Sequence, residues 1–190
     1  MKKGINREKI LSVSETLLKH KGEEKLSLRE IASALEVKPA SLYNHISGIG
    51  EIHEHLAVTA SNKLCERLKR AVSGKTSDEA FIAGGKAYRK FAESEPEFYK
   101  VLIHSRNSKN KTVVRCNAQS FTPLREVIKS YGGTPEQNAH FLRAFRSFMH
   151  GFTEISHNGF MQKGPVSKDL TYETVLYEFL NVLRGFNKNA

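Results

Sequence analysis

The sequence predicts an all-α protein of about nine helices, with a small amino-terminal helix-turn-helix domain followed by a larger helical bundle. Three observations lead to this prediction. Two short amphipathic helices joined by a tight turn fit between residues 27 and 52. Helical periodicity with recognisable capping residues recurs along the rest of the chain. No stretch alternates polar and apolar residues over enough length to require a β-strand.

The first two helices are predicted from their apolar spacing and one capping pattern. Residues 5–21 place Ile10, Ser14, Leu17 and Leu18 on a single helical face. Ser27 and Glu30 then form a Ser-x-x-Glu capping box, which predicts a second helix that starts at Leu28 and is about two turns long. Its buried face carries Leu28, Ile31, Ala32 and Leu35.

A turn at Glu36 and Val37 leads into a third short helix. Pro39 suits its first turn, where a missing N–H is not needed, and the helix is expected to end near His45 or Ile46. Leu42 and Ile46 point inward, so the outward face is small, hydrogen-bonding or basic and suits the major groove of DNA. The candidate DNA-binding residues are Ser27, Lys38, Pro39, Ala40, Ser41, Tyr43, Asn44 and His45.

Two short helices joined by a turn also occur in all-α proteins that bind no nucleic acid. The wider order of elements favours the DNA-reading interpretation. A helix at 5–21 precedes the pair, and a longer helix at 49–72 follows it. Its in-register apolar residues are Ile52, Leu56, Ala60, Leu64 and Leu68.

Residues 5–56 resemble the amino-terminal DNA-binding domain of the TetR/AcrR family of bacterial transcriptional regulators. The Leu-Tyr pair of the recognition helix is the most diagnostic feature of that family, and here it is Leu42-Tyr43. The resemblance implies that the Tyr43 hydroxyl and His45 contact backbone phosphates, and that Lys38, Ala40, Ser41 and Asn44 face the bases. The other matching residues are Ile10, the run from Leu26 to Ala32, Leu35, Val37 and Ser41.

Three positions depart from the pattern of that family. The turn position usually taken by Gly is Glu36, which is therefore expected to adopt a positive φ at some cost. The usual Ser cap of the recognition helix is Lys38, which could contribute a phosphate contact instead. The Lys that commonly opens the fourth helix is Ile49, so one expected phosphate anchor is missing.

Composition agrees with a nucleic-acid partner without requiring one. The 190 residues can hold two domains, each with a core. A formal net charge of +10 and a pI near 9.6 favour polyanionic partners. Residues 1–50 carry nine Lys or Arg against six Glu, so the excess charge is spread along the chain. A soluble, Lys-rich surface accounts for part of it.

Other protein classes find little support. Cys65 and Cys116 form no Cys-x-x-Cys pair, which is typical of reduced thiols in the cytosol. No apolar stretch approaches the roughly 20 residues of a membrane span, and the start of the chain lacks the apolar core of a signal peptide. We therefore expect a cytoplasmic protein that does not bind membranes. No Gly-rich phosphate loop, nucleophile elbow or zincin motif is present, so an enzyme is not expected and no cofactor is predicted.

The second half of the chain continues as helices. Thr76 and Glu79 form a capping box before a helix in which adjacent glycines, Gly84 and Gly85, fall on the apolar stripe. Either a neighbouring helix passes close to these glycines or the space is left for a ligand; we favour the first. Ser94 to Pro96 breaks this helix, and a short helix that carries Phe98 and Ile103 follows. The polar stretch Ser105 to Lys111 is the expected mobile loop.

Three further stretches complete the bundle. A helical pattern over 113–131 contains Pro123, which predicts a kink or a fresh start. Gly132-Gly133 ends this stretch, and Thr134-Pro135-Glu136-Gln137 opens a long helix to about Asn158. The last helix is expected over about residues 171–186. The chain further resembles a TetR subgroup whose ligand domain carries a Trp-His-Gly signature, although it has no Trp. The matching residues are the run from Ala87 to Ala92, then Pro96, Phe98 and Tyr99, and later His150-Gly151.

The resemblance implies a carboxy-terminal domain that binds a small molecule and forms a homodimer through its last two helices. We expect residues 1–50 to form the DNA-binding domain and residues 51–190 the ligand-binding and dimerisation domain. Candidate ligand-binding residues lie on aromatic stripes, which form a protein core more often than a pocket. They are Tyr88, Phe91, Tyr99, Phe145, Met149, His150 and Phe152.

A polar set on the long helix, His150, Glu154 and His157, shares one helical face. It could bind a metal or orient a polar effector, but it matches no known ligand spacing, so no metal site is predicted. The sequence thus predicts a ligand-responsive regulator, most simply a repressor that binds a palindromic double-stranded DNA operator as a dimer and is released by a small-molecule effector. The alternative is a helical adaptor that acts through protein contacts with little DNA binding.

Overall fold

The chain is described from a computed structural model that covers residues 4–161 and 164–186. In those ranges it forms nine α-helices and three short 3₁₀ segments, and it contains no strand. The helices are α1 (Arg7–Lys21), α2 (Leu28–Ala34), α3 (Ile49–Val72), α4 (Ser77–Ser94), α5 (Pro96–His104), α6 (Lys111–Gln119), α7 (Thr122–Lys129), α8 (Pro135–His157) and α9 (Lys168–Arg184). The predicted all-α class and the predicted number of helices are confirmed.

Backbone contacts divide the chain into two compact units. The amino-terminal unit contains the residues up to Lys63 together with Glu95–Gln119, and the bundle unit contains Leu64–Ser94 together with the residues from Ser120 onward. Each unit therefore consists of two separate stretches of sequence. The predicted functional division at residue 50 stays a prediction.

The helix starts of the amino-terminal unit follow the side chains that cap them. Asn6 accepts a hydrogen bond from the Lys9 N–H at 2.8 Å, so α1 begins at Arg7. Ser27 accepts one from the Glu30 N–H at 3.2 Å and caps α2 as predicted. The Glu30 carboxylate does not complete the box, because it pairs with Lys21 instead.

The third predicted helix is present, but it is a 3₁₀ helix over Pro39–Asn44 rather than an α-helix. Lys38 stands at its N-cap and provides no side-chain hydrogen bond to its free N–H groups. A six-residue segment without such a cap can close the tighter i to i+3 bonds, as the 2.9 Å bond from the His45 N–H to the Leu42 carbonyl shows. The prediction of a helix was right, and its type was not anticipated.

The long and late helices lie close to their predicted ranges. Helix α3 has the predicted bounds, and α8 opens with a complete capping box between Thr134 and Gln137. Pro123 gives a fresh start rather than a kink, because α6 ends at Gln119 and α7 begins at Thr122. Helix α9 begins earlier than expected, because Ser167 caps it by accepting from the Leu170 N–H at 3.2 Å.

The paired glycines of α4 are explained by close helix packing within the bundle unit. A Cβ at Gly84 would lie 2.6 Å from Leu124 Cδ1 on α7, and one at Gly85 would lie 2.7 Å from Leu176 Cδ2 on α9. The Tyr172 hydroxyl also donates a 2.9 Å hydrogen bond to the Gly85 carbonyl. The favoured prediction, that neighbouring helices pass close to these glycines, is confirmed.

Candidate nucleic-acid interface

The 3₁₀ helix Pro39–Asn44, with Lys38 before it and His45 after it, is named the recognition segment below. Leu42 is fully buried and anchors it, whereas the side chain of the neighbouring Tyr43 is 59% exposed. Lys38, Pro39, Ala40 and Asn44 are also exposed, and Ser41 and His45 are half-buried. The segment thus presents a polar and aromatic surface from an apolar anchor, which is the arrangement that the sequence predicted.

Ser27, the remaining candidate DNA-binding residue, lies at the start of α2. Its side chain is half-buried, and its hydroxyl accepts the hydrogen bond that caps the helix. This contact gives Ser27 a structural role, and a contact from Ser27 to DNA stays a prediction.

The turn before the recognition segment has the backbone conformation expected from the sequence. Glu36 has φ of 55°, the one positive φ of a non-glycine residue among the described residues. Two hydrogen bonds close the turn, from the Glu36 N–H to the Ser33 carbonyl at 3.1 Å and from the Val37 N–H to the Ala32 carbonyl at 3.0 Å. The turn geometry is therefore kept without the usual glycine, at the cost of a strained residue.

The turn after the recognition segment is fixed by one carboxylate. Glu51 Oε2 accepts hydrogen bonds from the Ser47 N–H at 2.9 Å and from the Ser47 hydroxyl at 3.0 Å. Glu51 Oε1 accepts from Arg7 Nε at 2.7 Å. These bonds hold the pKa of the Glu51 carboxyl below its usual value, with the Ser47 backbone bond as the largest cause.

Sequence reasoning missed both Arg7 and Glu51. The four-residue spacing from Ser47 to Glu51 at a helix start is a local signal that could have indicated a capping contact. Arg7 lies 44 positions from Glu51, so no local pattern could have joined them.

Helix α5 makes polar contacts with the turn that follows α1 within the amino-terminal unit. Glu97 Oε2 accepts from the Glu23 N–H at 3.3 Å, and the Glu23 carboxylate in turn meets His104 Nδ1 at 2.8 Å and His53 Nδ1 at 3.6 Å. Gly22, with φ of 81°, leaves room for Glu97, because a Cβ there would lie 3.1 Å from Glu97 Oε2. Polar contacts therefore attach α5 to the turn that precedes α2.

A buried polar cluster joins α3 to α6 in the same unit. The Ser61 hydroxyl donates to Asn117 Oδ1 at 2.7 Å, and both residues are buried. Asn117 Nδ2 donates to the Ser105 carbonyl at 3.1 Å. The cluster satisfies polar atoms that would otherwise destabilise the interior.

The candidate ligand-binding residues fall in both units. Tyr99 lies on α5 in the amino-terminal unit, and the other six lie on α4 and α8 in the bundle unit. Phe145 packs against Phe81 with ring centroids 4.8 Å apart, and Phe152 packs against Tyr172 at 5.0 Å. The buried members are Tyr88, Phe91, Tyr99, Phe145, Met149 and Phe152, whereas His150 is half-buried. Their role in ligand binding stays a prediction.

Two arginines that sequence reasoning did not single out lie among these rings. The guanidinium carbon of Arg89 lies 5.0 Å from the ring centroid of Tyr172, and its Nε donates to Glu93 at 2.7 Å. The guanidinium carbon of Arg146 lies 4.4 Å from the ring centroid of Phe121. The aromatic interior of the bundle unit thus contains cationic as well as apolar groups.

No group of three or more His, Cys, Asp or Glu residues is placed to hold a metal ion within residues 4–161 and 164–186. This includes His150, Glu154 and His157 on α8.

Both cysteines are free and half-buried, and burial raises the pKa of the Cys65 thiol. None of the helices described has the length and apolar character needed to cross a membrane.

Known proteins match both the sequence and the fold. A family model described as "Tetracyclin repressor-like, C-terminal domain" matches residues 81–179. YobS, an uncharacterised HTH-type transcriptional regulator of Bacillus subtilis, is 28% identical over 188 residues, which cover 98% of this chain and 96% of YobS.

Solved structures share the fold at low sequence identity. A protein of unknown function from Rhodococcus sp. RHA1 superposes with a TM-score of 0.78 at 20% identity, covering 97% of this chain and 96% of that one. SCO7222, a TetR from Streptomyces coelicolor, gives a TM-score of 0.71 at 14% identity, with 96% and 99% covered.

Proposed function

Because the chain belongs to the TetR family of DNA-binding transcriptional regulators, we propose that it is a repressor that binds a palindromic operator as a homodimer and is released by a small molecule. Its relatives are regulators of transcription and not enzymes. The observation that carries the proposal is the pairing of a fully buried Leu42 with an exposed Tyr43 in the recognition segment. The buried Leu42 fixes the backbone of the segment, so Tyr43 is held facing outward and loses little backbone conformational entropy when it binds DNA.

The proposed contacts divide by chemistry. Tyr43 and His45 contact backbone phosphates, which hold the protein in register on the duplex. Lys38, Ala40, Ser41 and Asn44 face base edges, where an amide can pair with adenine and a small side chain can accept the thymine methyl group. Ser27 and Pro39 support the interface from the helix starts.

A dimer is proposed because one recognition segment covers too few base pairs for specific control. A two-fold dimer presents two such segments about 34 Å apart, one helical turn of DNA. Exposed apolar side chains on α8 and α9 support this role for the last two long helices. These side chains are Ile155, Leu170, Tyr177 and Val182.

The effector is proposed to act in the helical bundle, where the candidate residues other than Tyr99 lie. Its binding must favour one arrangement of the dimer over another, since a ligand with equal affinity for both shifts nothing. The close packing at Gly84 and Gly85 leaves no room for a ligand at that point of α4. An effector between α4 and α8 would have to separate rings that are now in contact, such as those of Phe81 and Phe145, whose centroids lie 4.8 Å apart.

The test is fluorescence anisotropy of the purified protein with two labelled duplexes, the DNA upstream of its own gene and a random-sequence pool, across a salt series. We expect tighter binding to the upstream DNA, and affinity that falls steeply with salt. Tyr43→Ala should weaken binding to both duplexes. Tyr43→Phe keeps the ring and loses only the hydroxyl, so an intermediate loss is expected.

Absence of salt-sensitive binding by the wild-type protein to either duplex would overturn the proposal and favour the adaptor.

The dimer is tested by sedimentation velocity, in which Val182→Asp should shift the protein towards monomer. A compound screen read as loss of anisotropy on the upstream duplex tests release, and compounds that release the wild-type protein are expected to bind to it in the absence of DNA.

A further inference from the structure

We propose that Arg7 supplies a backbone-phosphate contact beside the start of α3, and that Glu51 is its positioning residue. This inference rests on the proposed function, because it concerns how the same interface binds DNA. It assigns a role to a residue of α1 that lies outside the recognition segment and outside every candidate set derived from the sequence.

The first step of the argument is the connection that Glu51 makes. One of its oxygens binds the Ser47 N–H and hydroxyl, and the other binds Arg7 Nε at 2.7 Å. Ser47 is two residues beyond the end of the recognition segment. A single carboxylate therefore places the Arg7 guanidinium next to the turn that leaves the recognition segment.

The second step is the part of Arg7 that remains available. Its contact with Glu51 uses Nε alone, and its two terminal amino groups make no hydrogen bond to any residue that the structure describes. The side chain is 56% exposed. A guanidinium held through Nε still offers the N–H groups at its far end to a phosphate.

Arg184 in the bundle unit shows how a purely structural arginine differs. Its exposed fraction, 53%, is nearly the same, but both its Nε and its Nη2 donate to Asp78 Oδ2, at 3.0 and 2.6 Å. Asp78 also accepts from the Tyr131 hydroxyl at 2.7 Å. Arg184 is thus engaged by two of its nitrogens in an intramolecular contact, whereas Arg7 is engaged by one.

The third step is the surface around Arg7. The sequence places Ile49 where a phosphate-binding lysine was expected, so α3 itself opens without a positive charge. Apart from neighbouring residues in the chain, nothing lies within 4 Å of a Cβ built on Gly48 or Gly50, so there is open space at both glycines. Arg7 brings the missing positive charge to this turn from a different helix.

The test compares Arg7→Gln with Lys9→Gln in the same anisotropy salt series. Lys9 is exposed on α1, and its position two residues further on places it on the other side of the helix. Arg7→Gln should reduce the slope of log affinity against log salt by about 0.9 per contact, which is about eightfold in affinity per contact at 0.1 M salt. The loss should be equal on both duplexes, because a phosphate contact carries no sequence information.

The positioning role of Glu51 is tested by the sign of the Glu51→Gln effect. The glutamine carbonyl can still accept from Ser47, but the charge that holds Arg7 is lost. If Glu51 only repels DNA, removing its charge strengthens binding; if it positions Arg7, binding weakens. In an Arg7→Gln background, Glu51→Gln should no longer weaken DNA binding. If Glu51 only stabilised the turn at Ser47, the same substitution would weaken DNA binding in both backgrounds.

The outcomes separate the two proposals. Equal slopes for Arg7→Gln and wild type, or equal losses for Arg7→Gln and Lys9→Gln, would overturn the role of Arg7. If Tyr43→Ala still weakens binding in that case, the proposed function stands. A wild-type protein that binds neither duplex would overturn both proposals. Circular dichroism of each variant at each salt concentration separates a folding defect from a lost contact. Arg7→Lys retains the positive charge and is the conservative control variant.

Discussion

The amino-terminal unit and the bundle unit are stabilised by different kinds of contact. In the amino-terminal unit, charged and polar side chains fix the turns, as Glu51 does at Ser47 and Glu23 does at His104. In the bundle unit, rings pack on rings, and two glycines let α7 and α9 approach α4. Both units have an apolar core, but directional bonds fix the turns around the recognition segment, whereas the ring pairs described above lie in the bundle unit.

The largest effect is expected from a core ring of the bundle unit. Phe145 is fully buried and lies 4.8 Å from Phe81 and 5.1 Å from Phe179, measured between ring centroids. Phe145→Ala should lower the free energy of unfolding by about 3 to 5 kcal/mol, measured by urea denaturation. Phe160, with 82% of its surface exposed, is the control, and Phe160→Ala should change it by less than about 0.5 kcal/mol. Similar costs for both variants would mean that the buried rings do not stabilise the bundle unit.

A smaller loss is expected from a polar bond inside the same unit. Tyr172→Phe removes the hydroxyl that donates to the Gly85 carbonyl and should cost about 1 kcal/mol. Burial raises the pKa of Tyr172, so the phenol stays protonated and able to donate throughout the neutral range. Tyr43→Phe, at an exposed ring and measured without DNA, is the control and should have no measurable effect on stability. A loss as large as that of Phe145→Ala would mean that directional bonds matter equally in the bundle.

The opposite sign is expected in the amino-terminal unit. Glu36 holds a positive φ at the turn before the recognition segment. Glu36→Gly relieves that strain, but the glycine also increases the conformational entropy of the unfolded chain. The net result should be a rise of about 0.5 to 1 kcal/mol in the free energy of unfolding, measured by thermal denaturation. Glu36→Ala removes the same charge without the backbone relief and should give no such gain. Equal stability of the two variants would show that the turn is not strained.

The smallest effect concerns pH. Hydrogen bonds from Arg184 and Tyr131 lower the pKa of Asp78. Because the folded pKa lies below the unfolded one, this contribution is present at neutral pH and is lost as pH falls through the folded value, below about pH 4. The pair is exposed, so Asp78→Asn should cost at most about 1 kcal/mol at pH 7 and nothing in acid. Glu126→Gln, in the exposed pair with Lys129, is the matched control variant for the same measurements.

Features set by neighbouring residues could be predicted from the sequence. The bounds of α3 follow from apolar spacing and the start of α8 from a capping box, while the positive φ of Glu36 was expected from the family resemblance, in which Gly usually takes that turn position. Each depends on residues within one or two helical turns. The same local rules identified the exposed face of the recognition segment.

Features set by distant residues could not be predicted. The pattern gave no sign that α5 and α6 join the amino-terminal unit, so Tyr99 was grouped with bundle residues. The contact between Arg7 and Glu51 joins two helices 44 positions apart. The stripe that carries Phe145 and Phe152 could mark either a core or a pocket, because both need apolar side chains at helical spacing.

The discontinuous amino-terminal unit has a consequence for synthesis on the ribosome. Lys63 Nζ meets Glu95 Oε2 at 2.8 Å, closing a span in which every intervening residue belongs to the other unit. The partners of Glu23 on α5, and of Ser61 on α6, are translated after that span. At about 5 to 20 residues per second, the nascent helix-turn-helix waits several seconds for them. Its final contacts therefore form late and over long sequence separations, which slows folding relative to an uninterrupted helical domain.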